Sequence, residues 1–272
     1  MPPIASPFVF AAALIVQAYP LCAGNQVLRS FPIKASQGVA VDGEYIYAIS
    51  NTEIRKCDKV TGAAVTVWKA DTKRAEFKHF RHLNSGTVID GKLHCAHSRF
   101  PVAPNECTVE IWDVTGEKLD HVETIRMPPT HGSLTWIDRR GDGTWWMCYA
   151  VYGRAKNKET KLIHYRRENG KFIEEKSHRF PEEAVASWGT MSCSGGSWGP
   201  DGMLYATGHD LAEACVLRIH GDKLEYVRTE GGVGFCGQAI AWDRFSKEPG
   251  LWGIVKNKCV SLTVITAAKG KS

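Results

Sequence analysis

The chain has 272 residues, a net charge of +5, 43% hydrophobic and 23% charged residues. That balance excludes a disordered chain and a multi-span membrane protein. No Lys/Arg run exceeds a pair, so nothing marks a nucleic-acid partner.

Residues 8–18, FVFAAALIVQA, are an apolar run too short to span a bilayer and suited to the hydrophobic region of a signal peptide. Small residues follow, and Ala23 is an acceptable last residue before cleavage. The prolines at positions 2, 3, 7 and 20 disfavour a buried strand or helix here. The expectation is a signal over 1–23, a mature domain over 24–272, a secreted or periplasmic location and no membrane span after cleavage. Eight cysteines remain in that domain, with no C-x-x-C among them. Eight cysteines allow 105 pairings. Cys95 with Cys107 and Cys193 with Cys236 are the pairs to test first, although several cysteines lie in apolar strands where a buried thiol serves as a small hydrophobe.

Five segments then repeat one pattern of small residue, apolar residues and Asp. They are GVAVDG (38–43), GTVIDG (86–91), SLTWIDRRGDG (133–143), SWGPDG (197–202) and AIAWDR (239–244). Short-stranded repeats of roughly 40–50 residues mark β-propellers. Asp-Gly between apolar runs is a strong hairpin signal, because Gly accepts the positive φ of the tight turn. Each Asp is therefore read as a turn residue. The fifth repeat lacks an outer strand, and residues 26–33, QVLRSFPI, can supply it beside CVSLTVITA (259–267). The expected fold is all-β: a five-bladed β-propeller whose last blade is closed by the N-terminal strand. Helical periodicity is confined to residues 72–80. The five segments resemble the exported propellers of the NHL/YVTN and gluconolactonase-like superfamily. That resemblance implies the architecture; no gluconolactonase set of metal-binding Glu and Asn maps onto this chain.

Loops entering and leaving the innermost strands form the usual binding face of a propeller. His82, Asn84, His131, Ser194 and Gln238 sit at or just before the start of innermost strands. His97, Arg99, Tyr152, His209, Asp210 and Lys256 end the second strands. Antiparallel pairing puts both sets at one end of the channel, where His82, His97, His131 and His209 would converge. Neutral imidazoles on separate rigid strands are the usual ligands of a divalent transition metal, and Asp210 can orient His209. His131, His209 and Asp210 are the expected catalytic residues. Asn84, Arg99, Tyr152, Ser194, Gln238 and Trp188 are expected to bind substrate. Trp188 lies in an insert, 177–190, that could cover the channel or form a surface loop. Trp112, Trp136, Trp242 and Trp252 are expected between blades. The functional expectation is metal- or His-assisted hydrolysis or elimination on a small polar or sugar-like molecule; the alternative is a non-catalytic carbohydrate- or protein-binding propeller.

Overall fold

The computed structural model describes residues 24–128, 132–247 and 250–266. The expected signal segment and His131 lie outside these residues. Among them, no helix is long and apolar enough to cross a membrane.

Twenty strands form five antiparallel four-stranded sheets. Blade 1 contains β2 (Gly38–Val41), β3 (Tyr45–Ser50), β4 (Glu53–Asp58) and β5 (Ala64–Lys69). Blade 2 contains β6 (His82–Ile89), β7 (Lys92–Ser98), β8 (Cys107–Asp113) and β9 (Asp120–Arg126). Blade 3 contains β10 (Ser133–Arg139), β11 (Trp145–Ala150), β12 (Lys161–Glu168) and β13 (Lys171–Arg179). Blade 4 contains β14 (Gly195–Trp198), β15 (Leu204–Thr207), β16 (Ala214–His220) and β17 (Lys223–Glu230). Blade 5 takes β18 (Ala241–Trp242), β19 (Leu251–Val255) and β20 (Cys259–Val264) from the end of the chain and β1 (Gln26–Phe31) from its start. The innermost strands β2, β6, β10, β14 and β18 each touch the next, and β18 returns to β2. The ring is closed.

Closure by β1 follows the sequence expectation, with Gln26 opposite Val264 and Phe31 opposite Val260. The side chain of Phe31 stacks on Trp252 with ring centroids 6.3 Å apart. Asn25 then ties the strand's start to both neighbours: its Nδ2 donates to Glu230 Oε2 at 3.0 Å, and its Oδ1 accepts Thr266 N–H at 3.1 Å. These contacts cover the edge of β20, which would otherwise invite pairing with another chain.

The core is five separate apolar layers, one between each pair of adjacent blades. Trp112 fills the layer between blades 1 and 2, Trp136 that between 3 and 4, Trp242 that between 4 and 5, and Trp252 that between 5 and 1. A buried aromatic of this kind removes about 150–250 Å² from water, worth roughly 4–6 kcal/mol at 25 cal/mol/Å². The tryptophans therefore hold the blades to one another. Outer strands alternate, as β9 does, because one face meets solvent.

The repeated aspartates are structural, in two different ways. At the blade 2 hairpin, Asp90 and Gly91 take φ of 50° and 71°, the positive pair a two-residue hairpin turn requires. Asp42, Asp201 and Asp243 instead accept hydrogen bonds from an aromatic on the following strand: Tyr47 at 2.5 Å, Tyr205 at 2.9 Å and Trp252 at 3.2 Å. Asp138 exceeds a turn role. It is buried at the end of the channel opposite the loops discussed below and accepts from Thr87, Ser197, the Trp198 and Arg139 amides, and both Arg244 Nη atoms. Four blades meet on this one carboxylate.

All eight cysteines of the described domain are thiols, six of them buried. Cys95 packs in the layer between blades 1 and 2, and Cys107 in that between 2 and 3. They sit on opposite faces of one blade and cannot pair. Cys193 accepts Trp136 Nε1–H at 3.3 Å while Cys236 turns to Asp210 O, so the second tested pair is absent too. Residues 72–80 contain only a single 3₁₀ turn, Ala75–Phe77.

Candidate functional site

Where strands enter and leave the ring's centre, a cavity of about 110 Å³ opens at one end of the channel. Every blade contributes to its wall: Gln37 from blade 1, His82 and Asn84 from blade 2, Thr135 and Tyr152 from blade 3, Ser194 and His209 from blade 4, Gln238 and Lys256 from blade 5. Phe100 and Met191 add apolar surface. The volume is below the roughly 300–1,000 Å³ of pockets for drug-sized ligands. It suits one small molecule.

Each polar group is set by local structure. Asn84 is buried on β6, and its Nδ2 donates to His82 O at 3.2 Å and across the blade boundary to Leu134 O at 2.8 Å. Tyr152 follows β11; its ring lies 4.5 Å from that of Phe100, and burial pushes its phenol up to about 12. His82 begins β6 and packs edge-on to Phe100. Burial, then the nearby charges of Lys256 and His209, lowers its pKa to about 4, so the imidazole is neutral at pH 7. His209 follows β15, and its Nδ1 lies 2.5 Å from Asp210 Oδ1. That contact fixes the ring and leaves Nε2 as its free nitrogen.

The loop carrying His209 is seated by glycine. Gly237 has φ of +59°, and a Cβ there would stand 2.1 Å from His209 O. Its amide donates to Leu211 O at 2.8 Å, and Gln238 donates through N–H to Gly208 O at 3.0 Å and through Nε2 to His209 O at 3.3 Å. The glycine-rich stretch 231–237 thus brings blade 5 against blade 4 at the cavity.

Among the expected site residues, His82, Asn84, Tyr152, Ser194, His209 and Gln238 share this cavity. Asp210 does not line it but holds His209 from outside. Three expectations are corrected. His97 pairs with Leu83, one residue out of step with His82 opposite Ser98. Successive strand side chains point to opposite faces, so His97 enters the side of blade 2 that packs on blade 1. There it is buried, with Nδ1 donating to Thr108 Oγ1 at 2.8 Å and Nε2 accepting Arg81 N–H at 3.2 Å. Arg99 pairs with Glu106 at 3.2 Å and borders a shallow depression of about 480 Å³ on the flank of blade 2. Trp188 is buried against Phe180 in the layer between blades 3 and 4, behind the short helix α1 (Glu182–Ser187). None of residues 177–190 lines the cavity.

The metal expectation needs three or four converging imidazoles. Among the described residues the cavity holds two, and no group of three His, Cys, Asp or Glu side chains is placed to hold an ion. A catalytic zinc site uses three protein ligands, so the described residues do not fit one. Gln37, Phe100, Thr135 and Met191 were missed by sequence reasoning. Gln37 was findable, since it precedes the first repeat as Gln238 precedes the fifth.

No protein-family model and no curated protein matches the chain. Solved propellers do. A Thermus thermophilus protein described as a putative oxidoreductase (glucose dehydrogenase) is 10% identical, with a TM-score of 0.50 over 87% of this chain and 100% of that one. The PQQ-bound aldose sugar dehydrogenase of Streptomyces coelicolor is 14% identical, with a TM-score of 0.48 over 85% of this chain and 77% of that one. The Cps50 (Swd1) β-propeller domain of Myceliophthora thermophila is 8% identical, with a TM-score of 0.49 over 89% and 99%. At these identities the likeness is one of fold: the chain is a five-bladed β-propeller.

Proposed function

We propose that the channel-mouth cavity binds a small polar or sugar-like molecule and acts on it by histidine acid–base chemistry, as a hydrolase or a lyase. The carrying observation is that five blades place polar side chains around one small cavity that includes neutral His82 and the His209–Asp210 pair. A carboxylate on Nδ1 orients an imidazole and stabilises its protonated form, which leaves Nε2 able to accept a proton from water or substrate. His82, kept neutral by burial, is a second acceptor on another blade. Asn84, Ser194, Gln238 and Tyr152 offer hydrogen bonds to hydroxyl groups. The likeness to sugar dehydrogenases is of fold, and the reading rests on the cavity's own residues.

The test is to screen purified protein against sugar lactones and esters, following acid release, and against uronides, following the ultraviolet absorbance of a new C=C bond. Turnover that falls about 10²–10⁴-fold in His209→Ala, the usual worth of a positioned acid–base group, supports the reading. No turnover, or turnover indifferent to both His209→Ala and His82→Ala, refutes it. Export belongs to the same proposal; N-terminal sequencing of secreted protein should give a chain beginning at Gly24.

A further inference from the structure

The charges around the mouth cavity are one-sided. Lys256 lines it from the turn after β19, where Asn257 adopts φ of +59° and its amide bonds to Ala35 O at 2.7 Å. Its ammonium has no hydrogen-bond or ion-pair partner among the described residues. The other ionisable groups on the wall are His82, His209 and the phenol of Tyr152. Among the described residues no carboxylate lines the cavity: Asp210 lies outside the wall with its Oδ1 on His209. Lys256 and His209 stand close enough to His82 to oppose its protonation. Lys256 is therefore the one cation on the described wall that no carboxylate answers, beside a neutral His82 and a His209 already paired with Asp210.

A bound anion would answer that ammonium with a charge-assisted hydrogen bond, while the two imidazoles offer ring N–H donors beside it. We propose, building on the binding reading above, that the ligand carries a carboxylate on a small hydroxylated, sugar-like body, and that Lys256 selects that carboxylate. A phosphate fits less well. Phosphate sites favour arginine forks or helix N-termini, whereas among the described residues no arginine and no helix borders this cavity. One point cation beside two imidazoles matches a single negative charge. Asn84, Ser194, Gln238 and the Tyr152 hydroxyl remain for neutral hydroxyls, and Phe100 with Met191 for carbon faces.

The experiment measures binding of D-galacturonate and D-gluconate beside D-galactose and D-glucitol by titration calorimetry on the full chain. Each acid should bind at least about tenfold tighter than its neutral counterpart, the lower end of what a hydrogen bond to a charged group contributes. The margin should shrink as sodium chloride is raised, because the lysine is exposed at the rim and open to screening. Lys256→Met should bring each acid to the affinity of its neutral partner, while Lys256→Arg should keep the preference. Equal binding of acids and neutral sugars, or a preference that survives Lys256→Met, overturns the carboxylate assignment and leaves the binding reading standing. If none of the four binds, both fall. A thermal unfolding curve of Lys256→Met matching that of the parent shows that the change acts on the site.

Discussion

Asp138→Asn tests whether the fold is held by one buried carboxylate. In the native protein Oδ1 accepts from Thr87 Oγ1 at 2.9 Å, Arg139 N–H at 2.8 Å and Arg244 Nη1 at 3.1 Å. Oδ2 accepts from Ser197 Oγ at 3.0 Å, Trp198 N–H at 2.8 Å and Arg244 Nη2 at 2.5 Å. Asparagine has the same shape but only one acceptor oxygen. Whichever way its amide lies, the NH₂ faces a guanidinium N–H and a backbone N–H, and the backbone group cannot rotate away. Leaving buried donors unpaired costs about 1–3 kcal/mol each, and breaking a buried ion pair about 3–5 kcal/mol. The two describe overlapping losses, so the expected total is about 3–5 kcal/mol. For a domain of this size that lowers Tm by roughly 6–20 °C. Thermal unfolding followed by circular dichroism reads it directly. Asp90→Asn is the control: it removes the corresponding repeat aspartate, whose side chain is 91% exposed and 3.7 Å from Arg139. That change should move Tm by no more than about 4 °C, since surface pairs contribute about 0–1 kcal/mol. An Asp138→Asn protein that melts within about 2 °C of the parent would refute the reasoning.

Other parts of the ring make equally definite predictions. Lys56 is buried, its Nζ donating to Val114 O at 2.9 Å and Gly116 O at 2.8 Å beneath the Tyr45 ring. Lys56→Met should cost about 1–3 kcal/mol in urea unfolding by leaving those carbonyls unpaired across the blade 1–2 boundary; no loss would show that water replaces the ammonium. Gly237→Ala should both destabilise the fold and weaken ligand binding at the mouth, because the methyl collides with His209 O. A variant stable and binding-competent in calorimetry would contradict that seating role. Finally, burial holds His82, His94 and His97 near a pKa of about 4, below the ordinary value of about 6.5. Between those values the unfolded chain takes protons that the native state refuses. Stability should therefore fall as pH drops from about 6.5 to 4, by up to about 3 kcal/mol for each histidine. His97→Gln should flatten that slope in urea titrations across the window; an unchanged slope would show that His97 is not among its causes.

The architecture can be read from the chain alone. The five Asp-containing repeats record a local requirement, a turn or a strand-end acceptor that recurs wherever an innermost strand meets the next, so they are legible without a structure. The missing outer strand of the last repeat and the spare strand at residues 26–33 follow from counting strands, and β1 pairs with β20 as that count requires. Loop position relative to the repeats also suffices to bring His82, Asn84, Tyr152, Ser194, His209 and Gln238 to one cavity. The direction in which side chains at those loops point emerges only once the blades are packed. His97 and Arg99 occupy mouth positions by order along the chain, but strand alternation puts His97 on the same face of β7 as Cys95, toward blade 1. Trp188 reads as a ligand platform until α1 buries it against Phe180. Asp138 resembles its four fellow aspartates, because nothing local reveals that Arg244, 106 residues later, will reach it. Local turn chemistry and strand count are written in neighbouring residues, whereas burial and partnership depend on the blade that arrives from elsewhere in the ring.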